Sequence, residues 1–169
     1  LLYKAAAGKN IHGTEAKEGK IELVADCDGL LKINRAALLA VNRTPQMMIA
    51  TIHGDLPVKK GAKIAGTRII PLVIEQEKMD AMQQAAGPEP ILNILPFHPK
   101  TFAVITTGSE VFKGRIEDRF TPILVQKLAE YGCKMTFHRV CDDDPAGITA
   151  AIREAKAQGC ELIFTTGGM

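Results

Sequence analysis

The sequence reads as an α/β protein in two parts: a small β-rich region over residues 1–96, then a parallel α/β unit over residues 101–169. Three observations carry that reading. After residue 100 strand and helix patterns alternate β-α-β-α-β, and this alternation means a parallel sheet with right-handed crossovers. Before it, short alternating runs punctuated by glycine turns dominate. Between them Pro96-Phe97-His98-Pro99-Lys100 carries two prolines and runs neither as helix nor as central strand.

In the first part, residues 1–7 read as the last turns of a helix stopped by Gly8. Residues 20–25 alternate Lys-Ile-Glu-Leu-Val-Ala, which suits a half-buried strand. Asp28-Gly29 signals a turn, and Asn34 caps a short helix over 35–41. Residues 47–53 read as a strand, with Gly54-Asp55 turning after it. Lys59-Lys60-Gly61 marks another turn. Strands over 62–65 and 67–74 are expected to part at Gly66 in a bulge or tight bend. Residues 77–86 read as a helix closed by Gly87. A small barrel or clip would accommodate this set.

In the second part, 101–106 is a short apolar run, the pattern of a strand buried on both faces. A long loop follows over 108–117, and long loops tend to be functional. Residues 118–131 place Ile123, Leu124, Leu128 and Tyr131 on one helical face, with Asp118 as cap and Gly132 as stop. A strand over 133–140 comes next. Asp144-Pro145 then pairs an N-cap with a first-turn proline, opening a helix that runs to Gln158. Residues 161–165 form the third strand.

The bulk properties exclude several functions. A net charge of +2 spread over scattered lysines gives no nucleic-acid footprint, and two Tyr with no Trp leave few stacking platforms. No apolar run approaches the roughly 20 residues that span a bilayer, so no membrane role is expected. Cys27, Cys133, Cys141 and Cys160 form no CxxC pair. Cys133 and Cys160 read as buried strand thiols, which suits a reducing cytoplasm. Residue 1 lies within a helix and residue 169 follows a buried strand, so the sequence reads as an internal piece of a longer protein, its α/β unit truncated.

One repeat points to function. Val104-Ile105-Thr106-Thr107-Gly108-Ser109 and Ile163-Phe164-Thr165-Thr166-Gly167-Gly168 both end an apolar strand in Thr-Thr-Gly. In open parallel sheets ligands bind beyond the carboxyl ends of the strands, where both units would sit. Glycine lets backbone N–H groups approach phosphate oxygens, threonine hydroxyls donate and accept, and successive N–H groups in a turn make an anion nest. Between the units stands Cys141-Asp142-Asp143-Asp144. Asp144 serves as N-cap. Asp142 and Asp143 either hold Mg²⁺ beside a phosphate or form a solvated acidic turn. Lys113 and Arg115 either contact phosphate or are plain surface charge. His53-Gly54-Asp55 reads as a turn with an adjacent histidine. His12 and His98 fall in loops without partners, and Met47, Met48, Met79 and Met82 fill core.

Thr106-Thr107-Gly108-Ser109-Glu110 with Gly114 and Asp118, the Asp-Asp turn, and Thr165-Thr166-Gly167-Gly168 together resemble the molybdopterin-binding domain of molybdopterin adenylyltransferases and molybdenum insertases. The stretch runs from Phe102 to Met169 in the family's order. The resemblance implies a three-layer α/β fold that binds molybdopterin at the strand ends. It implies Thr107, Gly108, Ser109, Glu110, Asp118, Thr166, Gly167 and Gly168 as ligand-lining residues. It implies Asp142 or Asp143 as the catalytic and Mg²⁺-holding aspartate of an ATP-dependent step, either adenylyl transfer or molybdate insertion. Homo-oligomers are implied by analogy alone. The family continues past Gly-Gly with further site residues, which this sequence does not contain. Residues 1–96 resemble only the leading region of longer bacterial molybdopterin-binding proteins. Two alternatives stand beside this reading: a non-catalytic regulatory protein whose α/β unit senses molybdopterin while the β-rich region signals to a partner, and a nucleotide hydrolase on the scaffold that leads competence-damage proteins.

Overall fold

The computed structural model of the chain describes residues 1–167; Gly168, one of the expected ligand-lining residues, lies outside them. The chain divides into two compact units, Leu1–Phe97 and His98–Met169.

The first unit contains α1 (Leu2–Ala6), β1 (Ile11–Gly13), β2 (Lys20–Ala25), β3 (Gly29–Ile33), α2 (Arg35–Asn42), β4 (Met47–Thr51), β5 (Pro57–Val58), β6 (Lys63–Ile69), α3 (Gln76–Ala86) and β7 (Leu92–Pro96). Its strands form two antiparallel sheets, ordered β1-β2-β6-β4 and β5-β3-β7. One apolar core, with Leu23, Leu31, Val41, Ile64 and Met82 fully buried, joins sheets and helices. Asn34 caps α2 by accepting from the Ala37 N–H.

Several expectations for this unit need correction. β6 runs unbroken through Gly66, and the bulge sits at Ile64: Leu23 pairs with Ala65 and Val24 with Lys63, leaving buried Ile64 as the extra residue. The strand ends at Ile69 because Ile70 precedes Pro71, which has no N–H for a ladder; Leu72 and Val73 are consequently exposed. Gly8 is not a left-handed helix stop. It is glycine because a Cβ there would lie 2.5 Å from the Leu92 carbonyl oxygen. Gly29 opens a strand and has the same reason, a Cβ 2.4 Å from the Leu95 oxygen. Met48 faces outward on β4, whereas Met47, Met79 and Met82 are buried. His12 lies in β1, its Nδ1 2.5 Å from Asp26 Oδ1. Strands β1, β3, β5 and β7 had no signal of their own; Pro96 is tolerated because β7 is an edge strand.

The second unit contains β8 (Thr101–Thr107), α4 (Ser109–Phe112), α5 (Phe120–Ala129), β9 (Lys134–Cys141), α6 (Pro145–Ala157) and β10 (Leu162–Thr166). The sheet is parallel throughout, ordered β10-β8-β9. β8 is central, and its residues from Phe102 to Thr106 are all buried, as an apolar run covered on both faces must be. Side chains alternate across the sheet. Ala103 and Ile105 pack with Ala151 and Ala155 of α6 on one face. Thr106 points to the other face, where it meets Thr121 of α5. Helix, sheet and helix therefore make three layers.

Three details differ from expectation. The segment after Gly108 is not all loop; it contains α4. Helix α5 starts at Phe120 and buries only Thr121, leaving Ile123 and Tyr131 exposed. Cys133 is half-buried in the turn before β9, while Cys160 is buried just ahead of β10, its Sγ 3.3 Å from Thr136 Oγ1.

Candidate functional site

The parallel sheet brings three chain corners to one edge. Register pairs Thr166 with Thr106, and Thr107 with Cys141, so all three strands finish level. The two Thr-Thr-Gly ends are therefore neighbours. Thr107 Oγ1 donates to the Thr166 carbonyl across 3.1 Å. Gly167, at φ +134°, passes so close that a Cβ would lie 2.2 Å from the Thr107 oxygen; only glycine fits both the dihedral and the gap.

An open cavity of about 930 Å³ lies against this edge, lined by Thr107, Gly108 and Ser109 from the first corner and by Thr166 and Gly167 from the third. Asp143 enters from the second corner, and Glu110 and Asp118 also line the wall. Asp142 does not belong to that lining; its Oδ1 accepts from the Asp143 N–H instead. Lys113 and Arg115 are likewise absent from it, and the cationic side chain that does reach the cavity is Arg119.

The backbone donors at the first corner are already engaged. Gly108 N–H donates to the Cys141 carbonyl at 3.2 Å, and Ser109 N–H to Asp143 Oδ2 at 3.2 Å. The acidic corner and the glycine corner are thus hydrogen-bonded to each other. Asp144 holds the next helix in place, accepting from the Ala146 and Gly147 N–H groups.

Behind the cavity wall stands a polar cluster. Asp118 Oδ2 accepts from Thr106 Oγ1 at 2.6 Å and Thr121 Oγ1 at 2.5 Å, and Oδ1 accepts from the Phe120 and Thr121 N–H groups at 3.0 and 3.1 Å. Burial alone would raise this carboxyl, whose side chain is 14% exposed. Four hydrogen bonds to the charged form outweigh that cost and hold its pKa at about 2, below the ordinary 3.8. His138 on β9 completes the cluster, its Nε2 3.1 Å from Thr106 Oγ1. Each threonine has one hydroxyl proton and directs it at the carboxylate. Nε2 must then carry the proton that Thr106 Oγ1 accepts. Sequence reasoning missed His138, since its partners lie on other elements.

Thr166 Oγ1 is buried and has no hydrogen-bond partner among the described residues. A buried hydroxyl without a partner at a cavity wall is a polar group that a ligand can satisfy. The described residues contain no group of three or more His, Cys, Asp or Glu side chains able to hold a metal ion, and no helix among them is long and apolar enough to cross a membrane. A second cavity, of about 500 Å³, lies by residues 14–22 of the first unit. Among its lining residues, Glu22 accepts from Lys20, and from Lys63 outside the lining; Lys63 first and then Lys20 hold its carboxyl below the usual range.

Comparison with known proteins adds the following. Residues 103–169 match the family described as a probable molybdopterin binding domain. A CinA-like protein of Mycobacterium sp. (strain JLS) is 41% identical over 66 residues, which is 39% of this chain and 16% of that protein. A CinA-like protein of Mycobacterium tuberculosis (strain ATCC 25618 / H37Rv) is 39% identical over 66 residues, 39% of this chain and 15% of its own length. The chain thus spans only about 16% of the curated relatives it matches. Among solved structures, the protein CinA from Thermoplasma acidophilum is 30% identical, covering 42% of this chain and 41% of its own, with a TM-score of 0.39. The molybdopterin biosynthesis moeA protein from Pyrococcus horikoshii OT3 is 13% identical, covering 99% and 64%, with a TM-score of 0.35.

Proposed function

We propose, for a chain whose residues 103–169 match the family described as a probable molybdopterin binding domain, that the cavity at the β8–β9–β10 edge binds molybdopterin in the making or transfer of the molybdenum cofactor. The observation that carries this reading is the pairing of the two Thr-Thr-Gly ends. Thr107 donates to Thr166, Gly167 packs on Thr107, and both corners open on one cavity. Its volume falls within the range of about 300–1,000 Å³ usual for small-molecule sites.

The residues present fit such a ligand in kind. Thr166 Oγ1 offers an unused hydroxyl to a pterin edge, and Thr107, Gly108, Ser109, Glu110, Asp118 and Gly167 complete the proposed contact set. A phosphate group would contest Asp143 for the Ser109 N–H. Mg²⁺ with ATP would meet Asp143 at the cavity, with Asp142 beside it outside the lining. Adenylyl transfer, molybdate insertion and a homo-oligomeric state in the cytoplasm belong to this proposal as its finer parts.

Anaerobic calorimetry of the chain with molybdopterin tests it. Binding at micromolar concentration is expected, and no heat at high micromolar concentration refutes the reading. Pyrophosphate release with Mg²⁺-ATP then separates an adenylyl-transferring enzyme from a binding or sensing module.

A second reading is that the same cavity takes a nucleotide which it hydrolyses. It is favoured by the similarity of a 66-residue stretch to CinA-like proteins, the scaffold on which the sequence offered this alternative. Release of AMP or a free base from nucleotide substrates, without molybdopterin binding, would establish it.

A further inference from the structure

The charges around the cavity do not match an anionic ligand unless one residue is set apart. Among the described residues, Glu110, Glu117, Asp118 and Asp143 bring four carboxylates to the lining, and Arg119 is its one cationic side chain. Two of these carboxylates are held in place, Asp118 by its four hydrogen bonds and Asp143 by Ser109 N–H. The backbone donors that would otherwise greet a phosphate at the first corner are spent on Cys141 and Asp143. Arg119, by contrast, has no hydrogen-bond or ion-pair partner among the described residues. An unpaired guanidinium facing a cavity ringed by carboxylates, two of them already engaged, is the available counter-charge for an entering anion.

Its neighbour has the complementary property. Phe120 is 61% exposed, an uncommon state for a ring that could be buried, and it lines the same cavity with Ile116 and Val111. This apolar wall shares the cavity lining with Arg119 and the Thr-Gly corners. The Phe120 N–H is anchored on Asp118 Oδ1, so the start of α5 presenting both side chains is fixed to the central strand through Thr106.

We infer that Arg119 and Phe120 form a two-part grip, the guanidinium taking the phosphate and the ring stacking on the plane of a phosphorylated heterocycle. The inference rests on the reading of this cavity as a ligand site and names the residues that select the ligand's class. Neither half alone gives full affinity: a plain phosphate lacks the stacking partner, and an unphosphorylated pterin lacks the anion.

The experiment measures affinity of the chain and of Arg119→Ala, Arg119→Lys, Phe120→Leu and Phe120→Tyr for molybdopterin, ADP and 6-hydroxymethylpterin. Both side chains are exposed, so the variants should keep the fold, and circular dichroism checks that. For the phosphorylated probes, Arg119→Ala should weaken binding by about tenfold or more, with partial rescue by Lys. It should leave 6-hydroxymethylpterin unchanged. Phe120→Leu should weaken the heterocycles about tenfold, with rescue by Tyr. If molybdopterin binds and neither position alters its affinity, the grip is overturned while the cavity assignment stands. If only ADP binds, with the same dependence on both residues, the grip stands and the pterin reading falls. Binding of none of the three probes overturns both.

Discussion

Thr106 Oγ1 donates to Asp118 Oδ2 across 2.6 Å, linking the buried central strand of the α/β unit to the segment just ahead of α5, whose first N–H groups Asp118 also holds. The bond matters because it fixes a proton's direction. With Thr106 and Thr121 both donating to the carboxylate, the remaining lone pair on Thr106 faces His138 Nε2 at 3.1 Å.

His138 is therefore expected to hold its proton on Nε2. His138→Leu should lower stability by about 0.5–1 kcal/mol by leaving Thr106 without a donor, and His138→Gln should restore most of it. Nitrogen-15 shifts of the imidazole report the tautomer directly. A neutral ring protonated only on Nδ1 would refute the assignment.

Asp118 should give the unit an acid-sensitive step. Its pKa is about 2 when folded against an ordinary 3.8. A lowered folded pKa means the unfolded chain takes up the proton first as pH falls. The stabilisation is complete above about pH 4 and disappears as pH drops through 2, amounting to about 2 kcal/mol. Urea titrations at pH 5 and pH 2.5 measure it, with Asp118→Asn as the reference lacking the ionisation. Parallel losses in both proteins would show that the step lies elsewhere.

Gly167→Ala should disrupt the cavity edge. The substitution demands a φ of +134° from an L side chain and drives a Cβ to 2.2 Å from the Thr107 oxygen. A cost of at least about 2 kcal/mol is expected, concentrated where β10 meets β8. Hydrogen exchange at Thr166 and Thr107 amides should rise before that of β9. Unchanged exchange would mean the two corners are not in contact.

Asp144→Ala should cost about 1 kcal/mol through loss of the α6 cap, with Asp144→Ser close to native. Asp143→Ala leaves that cap intact and should instead free the Ser109 N–H. Thermal melts of the two variants separate them. Equal destabilisation would show that the acidic turn acts as one structural unit.

Local chemistry explains what could be read in the sequence. Asn34 and Asp144 cap helices within their own next turn, so a short window contains cause and effect. The apolar run of β8 announces burial on both faces by itself. What could not be read depends on distant partners. Strand β7 exists because Gly29 to Ile33 pairs with it, from a distant part of the same unit's sequence. His138 gains meaning only through Thr106, 32 residues away. Lys113, Arg115 and Arg119 look alike in sequence, and only the turn of α4 into α5 decides which one faces the cavity. The polar face of Gly108 and Ser109 suggested an empty anion nest. The bonds to Cys141 and Asp143 fill it, and those residues come from another crossover.

The sheet order β10-β8-β9 puts the earliest of the three strands in the middle. On a ribosome, Phe102 to Ile105 emerge with both edges bare, and the last edge closes only when β10 arrives, a crossover after β9. During that interval a short uncharged β segment is open to pairing with another nascent chain. Slowed translation between α6 and β10 should accordingly favour aggregation, and chaperones that shield extended apolar segments should suppress it.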